Sequence, residues 1–200
     1  NVHYALDRRP EHTAAEFDPA ADRALVKIMG VETVDDLLEH IDGVRRGEFD
    51  LVGAGMTLTD LDPMQAPIDV EPGSAVACWE TLAPYENVEG DWDDVARGYA
   101  TRILDAWAEH APNLADARII RSYVNHPAYI EAKLPDMKRG SIKHGAYVTT
   151  QMLSNRPNID CSSYRTPIED LYVAGASVWP GGMVLLAGGY NVAGVVADDL

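Results

Sequence analysis

The sequence has 200 residues, 46% of them hydrophobic, and a formal charge of -16 at neutral pH. That length and apolar content suffice for the core of one domain or the larger part of two. The charge excludes a nucleic-acid binder, whose phosphate contacts need a basic patch, and simple docking on anionic lipid; it reads as a solvated acidic surface.

Side-chain spacing excludes more. The six histidines never fall at HxxH or HxxxH, and Cys78 and Cys161 fit no CxxC or zinc spacing. No metal site is therefore expected, and both cysteines are expected as buried free thiols. No apolar run reaches the roughly 18 residues of a membrane span, and no signal-peptide pattern is present, so a cytoplasmic protein is expected.

In chain order, Val2, Tyr4 and Leu6 alternate with His3, Ala5 and Asp7, which predicts a half-buried strand. It begins at Asn1 without an initiator methionine, as a cut chain would. A short helix is predicted around Ala20 to Met29. Thr33 is placed to cap a helix whose apolar positions Val34, Leu37, Leu38, Ile41 and Val44 recur at helical spacing, with Glu39 and Asp42 on a solvated face. Gly47 is its expected stop. Phe49 to Leu58 and Ser74 to Leu82 read as neighbouring antiparallel strands, separated by breakers at Asp62-Pro63, Ala66-Pro67 and Pro72-Gly73. The Gly53-Ala54-Gly55 run has Leu58 where a third glycine of a phosphate loop would stand, so it is read as structural. Asp91 is expected to cap a helix to about His110 with Trp92, Val95, Tyr99, Ile103, Ala106 and Trp107 on its core face. Arg118 to Val124 reads as a strand, and Pro127 opens a short helix through Lys133. Arg156 is expected in a structural ion pair.

The last stretch is chemically distinct. Leu171 to Ala174 is a short apolar run that predicts a fully buried strand. Gly175-Ala176-Ser177 and Pro180-Gly181-Gly182 then leave the backbone bare. A buried helix follows, with Met183 the preferred start and Asn191 the alternative. Strand, bare loop and helix N-terminus together present free amides and a positive dipole end to an anion or an electron-rich ring edge.

The run LYVAGASVWPGG followed by GGYNVAG resembles the C-terminal signature of FAD-dependent oxidoreductases of the phytoene desaturase type, especially their phytoene dehydrogenase-like or pyridine nucleotide-disulphide oxidoreductase domain relatives. NVHYALDRRP, MTLTDLDPMQAP, APYENVEGDW, IKHGAY, QMLSNRP and YRTPIEDLYVAGA agree in order. The resemblance implies an α/β chain in which residues 1–165 form a substrate-binding lobe with a mixed, largely antiparallel sheet. Residues 166–200 would add the final strand and helix of a Rossmann-like FAD domain. The GxGxxG half of such an enzyme is absent from these residues, so an N-terminal FAD-binding partner chain or fragment, and hence a hetero-oligomer, is expected.

The resemblance also implies FAD as cofactor. Gly175, Ala176 and Ser177 would lie against ribityl and pyrophosphate, Gly181 and Gly182 would leave room for the ring, and Met183 and Val184 would supply amides to it. Trp179, His144, Tyr147 and Gln151 would line the substrate cavity. No catalytic acid or base is assigned, because hydride transfer between a small apolar or amphipathic substrate and flavin needs none. Two other functions stay open: a non-catalytic subunit or binding module that keeps the fold, and a flavin-dependent isomerase.

Overall fold

The computed structural model describes residues 1–61, 73–182 and 186–200. The Asp62-Pro63 and Ala66-Pro67 breakers, Pro72, Met183 and Val184 lie outside the described residues. The chain divides into two compact units, Asn1–His126 and Pro127–Leu200.

The first unit is built on a five-stranded sheet. Its strands are β1 (Val2–Leu6), β2 (Lys27–Met29), β3 (Gly53–Thr57), β4 (Ala75–Glu80) and β5 (Ile119–Val124), in the order β2-β3-β4-β1-β5. Every pairing is antiparallel. β3 and β4 are neighbours, as their sequences predict. Val2, Tyr4 and Leu6 are buried while His3 and Ala5 are half-buried, so β1 has the expected alternation. The predicted helix around Ala20 to Met29 is instead a single turn, α1 (Pro19–Asp22), followed by edge strand β2. Pro19 opens the turn, and the Asp18 carboxylate accepts from the Ala20 amide at 2.8 Å. Lys27 to Met29 then gain hydrogen-bond partners on β3, which a short helix lacks.

The long helix α4 (Trp92–His110) lies on the sheet, burying Trp92, Tyr99, Ile103, Leu104 and Trp107. Asp91 precedes it without making a side-chain cap. Gly55 explains the close approach: a Cβ there would stand 2.7 Å from the Trp107 ring and 2.6 Å from the Met29 methyl. Gly53 has the same role beneath Trp79, where a Cβ would stand 2.2 Å from the indole nitrogen. The Gly53-Ala54-Gly55 run is thus strand β3 with rings above it. Tyr4 donates its hydroxyl to the Ala100 carbonyl at 2.7 Å, bonding sheet to helix.

Helix α2 (Val34–Arg46) departs from its sequence pattern. Its ends are as predicted, with a Thr33/Asp36 capping box and Gly47 at the stop. Its apolar stripe is not its buried face: Val34 is 73% exposed, Leu37 and Leu38 are exposed as well, and the buried residues are His40 and Gly43. Gly43 has no side chain to hold the helix off, and the His40 ring bonds Asp50 through Nδ1 at 2.8 Å, so a polar contact selects the packed face.

A buried polar chain joins helix α4 to the segment after β1. The Trp107 indole donates to His12 Nε2 at 2.9 Å, which makes that nitrogen an acceptor and puts the ring proton on Nδ1, facing Asp22 Oδ1 at 2.8 Å. Asp22 is also paired with Arg9, whose guanidinium takes both oxygens of Asp60 at 2.9 and 2.8 Å. Burial pulls the His12 pKa below its ordinary value, against the pull of Asp22. Below about pH 6.5 the unfolded chain then takes up a proton that the folded chain refuses, so stability is full above that pH and declines as pH falls. His126 adds a slope of the same sign, again chiefly through burial. The His12→Gln variant is expected to flatten this slope when midpoint temperature is followed from pH 7.5 to 5. An unchanged slope would remove His12 from the account.

The second unit opens with α5 (Pro127–Lys133), the short helix expected there, and closes with α6 (Ala187–Asp199). Between them the chain is mostly turns. The predicted buried strand at Leu171 to Ala174 is reduced to one bridge, Tyr172 to Arg165, and Leu171 is exposed. A strand needs neighbours along its length, and here the pairing stops at two main-chain bonds, from the Val173 amide to the Tyr164 carbonyl at 2.9 Å and from the Thr166 amide to the Leu171 carbonyl at 3.1 Å. Helix α6 begins at Ala187, between the two expected starts, and is not buried: Gly188 is its one buried residue and Tyr190 is 82% exposed. It is held at its far end by Asp199, which takes Arg165 at 2.9 and 2.8 Å and the Tyr172 hydroxyl at 2.8 Å. Near its start, Asn191 donates to the Tyr164 hydroxyl at 2.7 Å.

Candidate functional site

The glycine-rich loop and the start of α6 enclose a cavity of about 340 Å³. Gly175, Ala176, Gly181 and Gly182 of the expected cofactor set line it, with Ala174, Leu186, Gly188 and Gly189. Seven of these eight residues carry at most a methyl group. The approach of helix to loop follows from Gly188, where a Cβ would stand 3.2 Å from the Gly175 carbonyl oxygen and 3.3 Å from a Val178 methyl. Gly181 has φ +104°, a backbone state that suits glycine, and a Cβ there would meet the Tyr147 hydroxyl at 2.6 Å. Gly182 is closed in by backbone, with the Ile142 carbonyl oxygen 2.8 Å from the Cβ position. A Cβ added at Gly175 or Gly189 would meet nothing within 4 Å. The open space therefore lies over bare main chain.

Among the described residues no side chain caps α6: Leu186 stands at its N-cap with φ +65° and makes no side-chain bond to the first turn. Such a helix start presents amides that have no partner within the helix.

A second cavity, of about 540 Å³, has a polar lining that includes His144, Gln151, Asn155, Arg156, Ser177 and Lys138. The structure thus puts Ser177 with His144 and Gln151 instead of with the glycines. His144 Nδ1 lies 3.0 Å from Ser177 Oγ, while Nε2 is buried without a hydrogen-bond partner, 3.5 Å from Asp136 Oδ2. Gln151 braces its own loop, accepting from the Ala146 amide at 2.9 Å. Tyr147 packs against Gly181 and under the Arg156 guanidinium, 5.5 Å from its ring centre. Trp179 is half-buried, lines neither of these two cavities, and accepts the Tyr164 hydroxyl on its carbonyl at 3.0 Å.

Sequence reading missed the role of Arg156. The expected ion pair is absent among the described residues, and its hydrogen bonds go to main-chain carbonyls. A buried cation surrounded by carbonyls leaves no signature in sequence spacing, because backbone acceptors are available at every position. Asp136, Lys138, Thr150 and Asn155 also reach the polar cavity without a sequence signal.

In the first unit, a hollow of about 580 Å³ is bordered by Arg9, His12 and Asp22. Their polar atoms are already paired with one another, and His12 Nε2 is taken by Trp107. Among the described residues no group of three or more His, Cys, Asp or Glu side chains is placed to hold a metal, and no helix is long and apolar enough to cross a membrane. Burial pushes the Cys78 thiol up to about 11, whereas Cys161 is only half-buried.

The class outlined by these features is an α/β chain with an antiparallel sheet and a separate glycine-lined loop and helix. No protein-family model matches the sequence. Among curated proteins it is 48% identical to a limonene dehydrogenase subunit of Castellaniella defragrans over 199 residues, 99% of this chain and 36% of that protein. It is 32% and 31% identical to pyridine nucleotide-disulfide oxidoreductase domain-containing protein 2 of Mus musculus and Rattus norvegicus, over 71% of this chain and 24% of each relative. The chain thus spans about a third or a quarter of the length of these relatives. Its homologues are a named dehydrogenase subunit and named oxidoreductase domain proteins.

Proposed function

We propose that this chain is part of an FAD-dependent oxidoreductase related to the phytoene desaturase type, acting on a small apolar or amphipathic substrate. The observation that carries the reading is the 340 Å³ cavity, whose lining apart from Leu186 is glycine and alanine and which opens on the uncapped start of α6. Such a cradle fits a broad, flat ring that must approach main chain, and it fits no metal or nucleophile chemistry. The relatives named as oxidoreductases support the same assignment.

When bound, the flavin supplies the hydride-accepting or hydride-donating group. The chain's own residues hold it and orient the substrate. Gly175, Ala176, Gly181 and Gly182 give van der Waals room, and the first amides of α6, with Met183 and Val184 in the adjoining segment, offer donors and a positive dipole end to the electron-rich edge. His144 and Gln151, with Ser177 bonded to His144, form the polar wall against which the substrate is set, while Tyr147, between Gly181 and Arg156, and Trp179 stand on the same loops. Residues 1–165 serve as substrate lobe, and residues 166–200 complete a dinucleotide-binding domain. The GxGxxG half of that domain comes from a partner chain or a further segment of the same protein. Exposed Leu171 and the uncovered helix α6 are surfaces that such a half would cover.

A visible absorption spectrum and intact masses of the purified protein, with whatever chain accompanies it, test the reading. Flavin bands in a sample that contains a GxGxxG-bearing polypeptide are expected. A colourless, fully assembled complex would reject it.

A further inference from the structure

Arg156 is 3% exposed, and all four of its hydrogen bonds end on main-chain carbonyls. Nη2 donates to Lys143 at 2.6 Å, to His144 at 2.8 Å and to Ala176 at 2.7 Å, and Nη1 reaches Gln151 at 3.4 Å. Nε is buried with no partner. The acceptors belong to two different loops. Lys143, His144 and Gln151 lie on the loop of the polar cavity, and Ala176 lies on the loop of the glycine-lined cavity, whose wall it forms.

Two consequences follow from elementary electrostatics. Carbonyl dipoles solvate the guanidinium without cancelling its unit charge, and among the described residues no carboxylate lies within ion-pair distance of it, so a positive charge stays buried behind the Ala176 wall of the glycine cradle, with Asp136 and Lys138 the other charged groups on the shared polar cavity. A buried charge without a counter-ion is costly. In addition, one planar fork fixes the spacing of the two loops, which a flexible ammonium does less well.

We propose that Arg156 is the positioning residue of this site, clamping the cofactor loop to the substrate loop and raising the reduction potential of the bound flavin through its unneutralised charge. The proposal rests on the flavin reading given above. A positive charge favours whichever form of the ring carries more negative charge, and reduction adds negative charge. In general, a unit charge on the order of 10 Å from a developing anion at an effective dielectric near 20 changes such an equilibrium by about tenfold, or about 30 mV for a two-electron couple.

The test compares the complete flavin-loaded protein with its Arg156→Lys and Arg156→Gln variants. Lysine keeps the charge and loses the fork; glutamine keeps amide donors and loses the charge. Flavin content per chain, midpoint potential and the split between kcat and KM are measured on each. The glutamine variant is expected to show a reduction equilibrium about tenfold less favourable, the lysine variant one within about threefold of the parent, and both a raised KM from loosened loops. Equal potentials in the parent and glutamine proteins overturn the proposal even if flavin content falls, since a purely structural clamp changes occupancy and leaves the potential alone. If the glutamine variant does not fold, Arg156→Met takes its place. If neither neutral variant folds, a lysine variant whose equilibrium falls tenfold despite its retained charge overturns the electrostatic role. A parent complex without flavin rejects the underlying function instead, and is distinguished by its absorption spectrum before any variant is made.

Discussion

The Gly189→Leu variant is expected to keep its fold and to lose the flavin proposed for the glycine-lined cavity. Gly189 stands in the first turn of α6 and lines the glycine cavity, and a Cβ there would have no atom within 4 Å. The first carbon of the new side chain is therefore accommodated, and leucine is favoured over glycine in a helix by about 0.8 kcal/mol. Its body fills space that the ring would need. Forcing extra methylenes into an occupied site costs about 1–3 kcal/mol, which is roughly a fivefold to 150-fold loss of affinity. Gly194→Leu is the control, because Gly194 is on the same helix, has equally open space and lies off the cavity. Thermal midpoints and flavin-to-protein absorbance ratios on both variants decide the matter. Full flavin content in Gly189→Leu, or equal loss in both, would sink the assignment of this cavity to the cofactor.

Trp107→Ala is expected to cost the first unit about 4 kcal/mol, the range for deleting a large aromatic ring from a packed core. Trp107 is fully buried, its ring centre is 5.5 Å from that of Trp79, and Gly55 is bare beneath it. The deletion also leaves His12 Nε2 without its donor, a further penalty of about 1–3 kcal/mol if the atom stays dry. Trp107→Phe separates the two terms, since it keeps most of the ring contact and removes only the indole donor. Urea unfolding with a fluorescence readout from the other tryptophans measures both. A loss below about 1 kcal/mol for Trp107→Ala would mean that the sheet and α4 are not held together at this position.

Local chemistry made much of this protein legible in advance. Alternation fixed β1, the Thr33 cap and Gly47 fixed the ends of α2, Pro127 and Lys133 bounded α5, and the bare Gly175 to Gly182 run marked where main chain lies open. These features depend on a few neighbouring residues, so spacing alone carries them.

Tertiary structure decided the rest. The apolar stripe of α2 predicted its buried face, but packing chose His40 and Gly43, because a bare glycine and the His40–Asp50 bond permit a contact that periodicity does not record. Leu171 to Ala174 has the composition of a buried strand and is not one here, since a strand exists through hydrogen bonds to neighbours elsewhere in sequence. The resemblance puts Ser177 with the glycines, yet its hydroxyl turns to His144, 33 residues away. Arg156 departs furthest from its sequence reading. A charged residue in sequence suggests a charged partner, whereas in the fold its partners are carbonyls that every residue carries, and only three-dimensional convergence shows which ones they are.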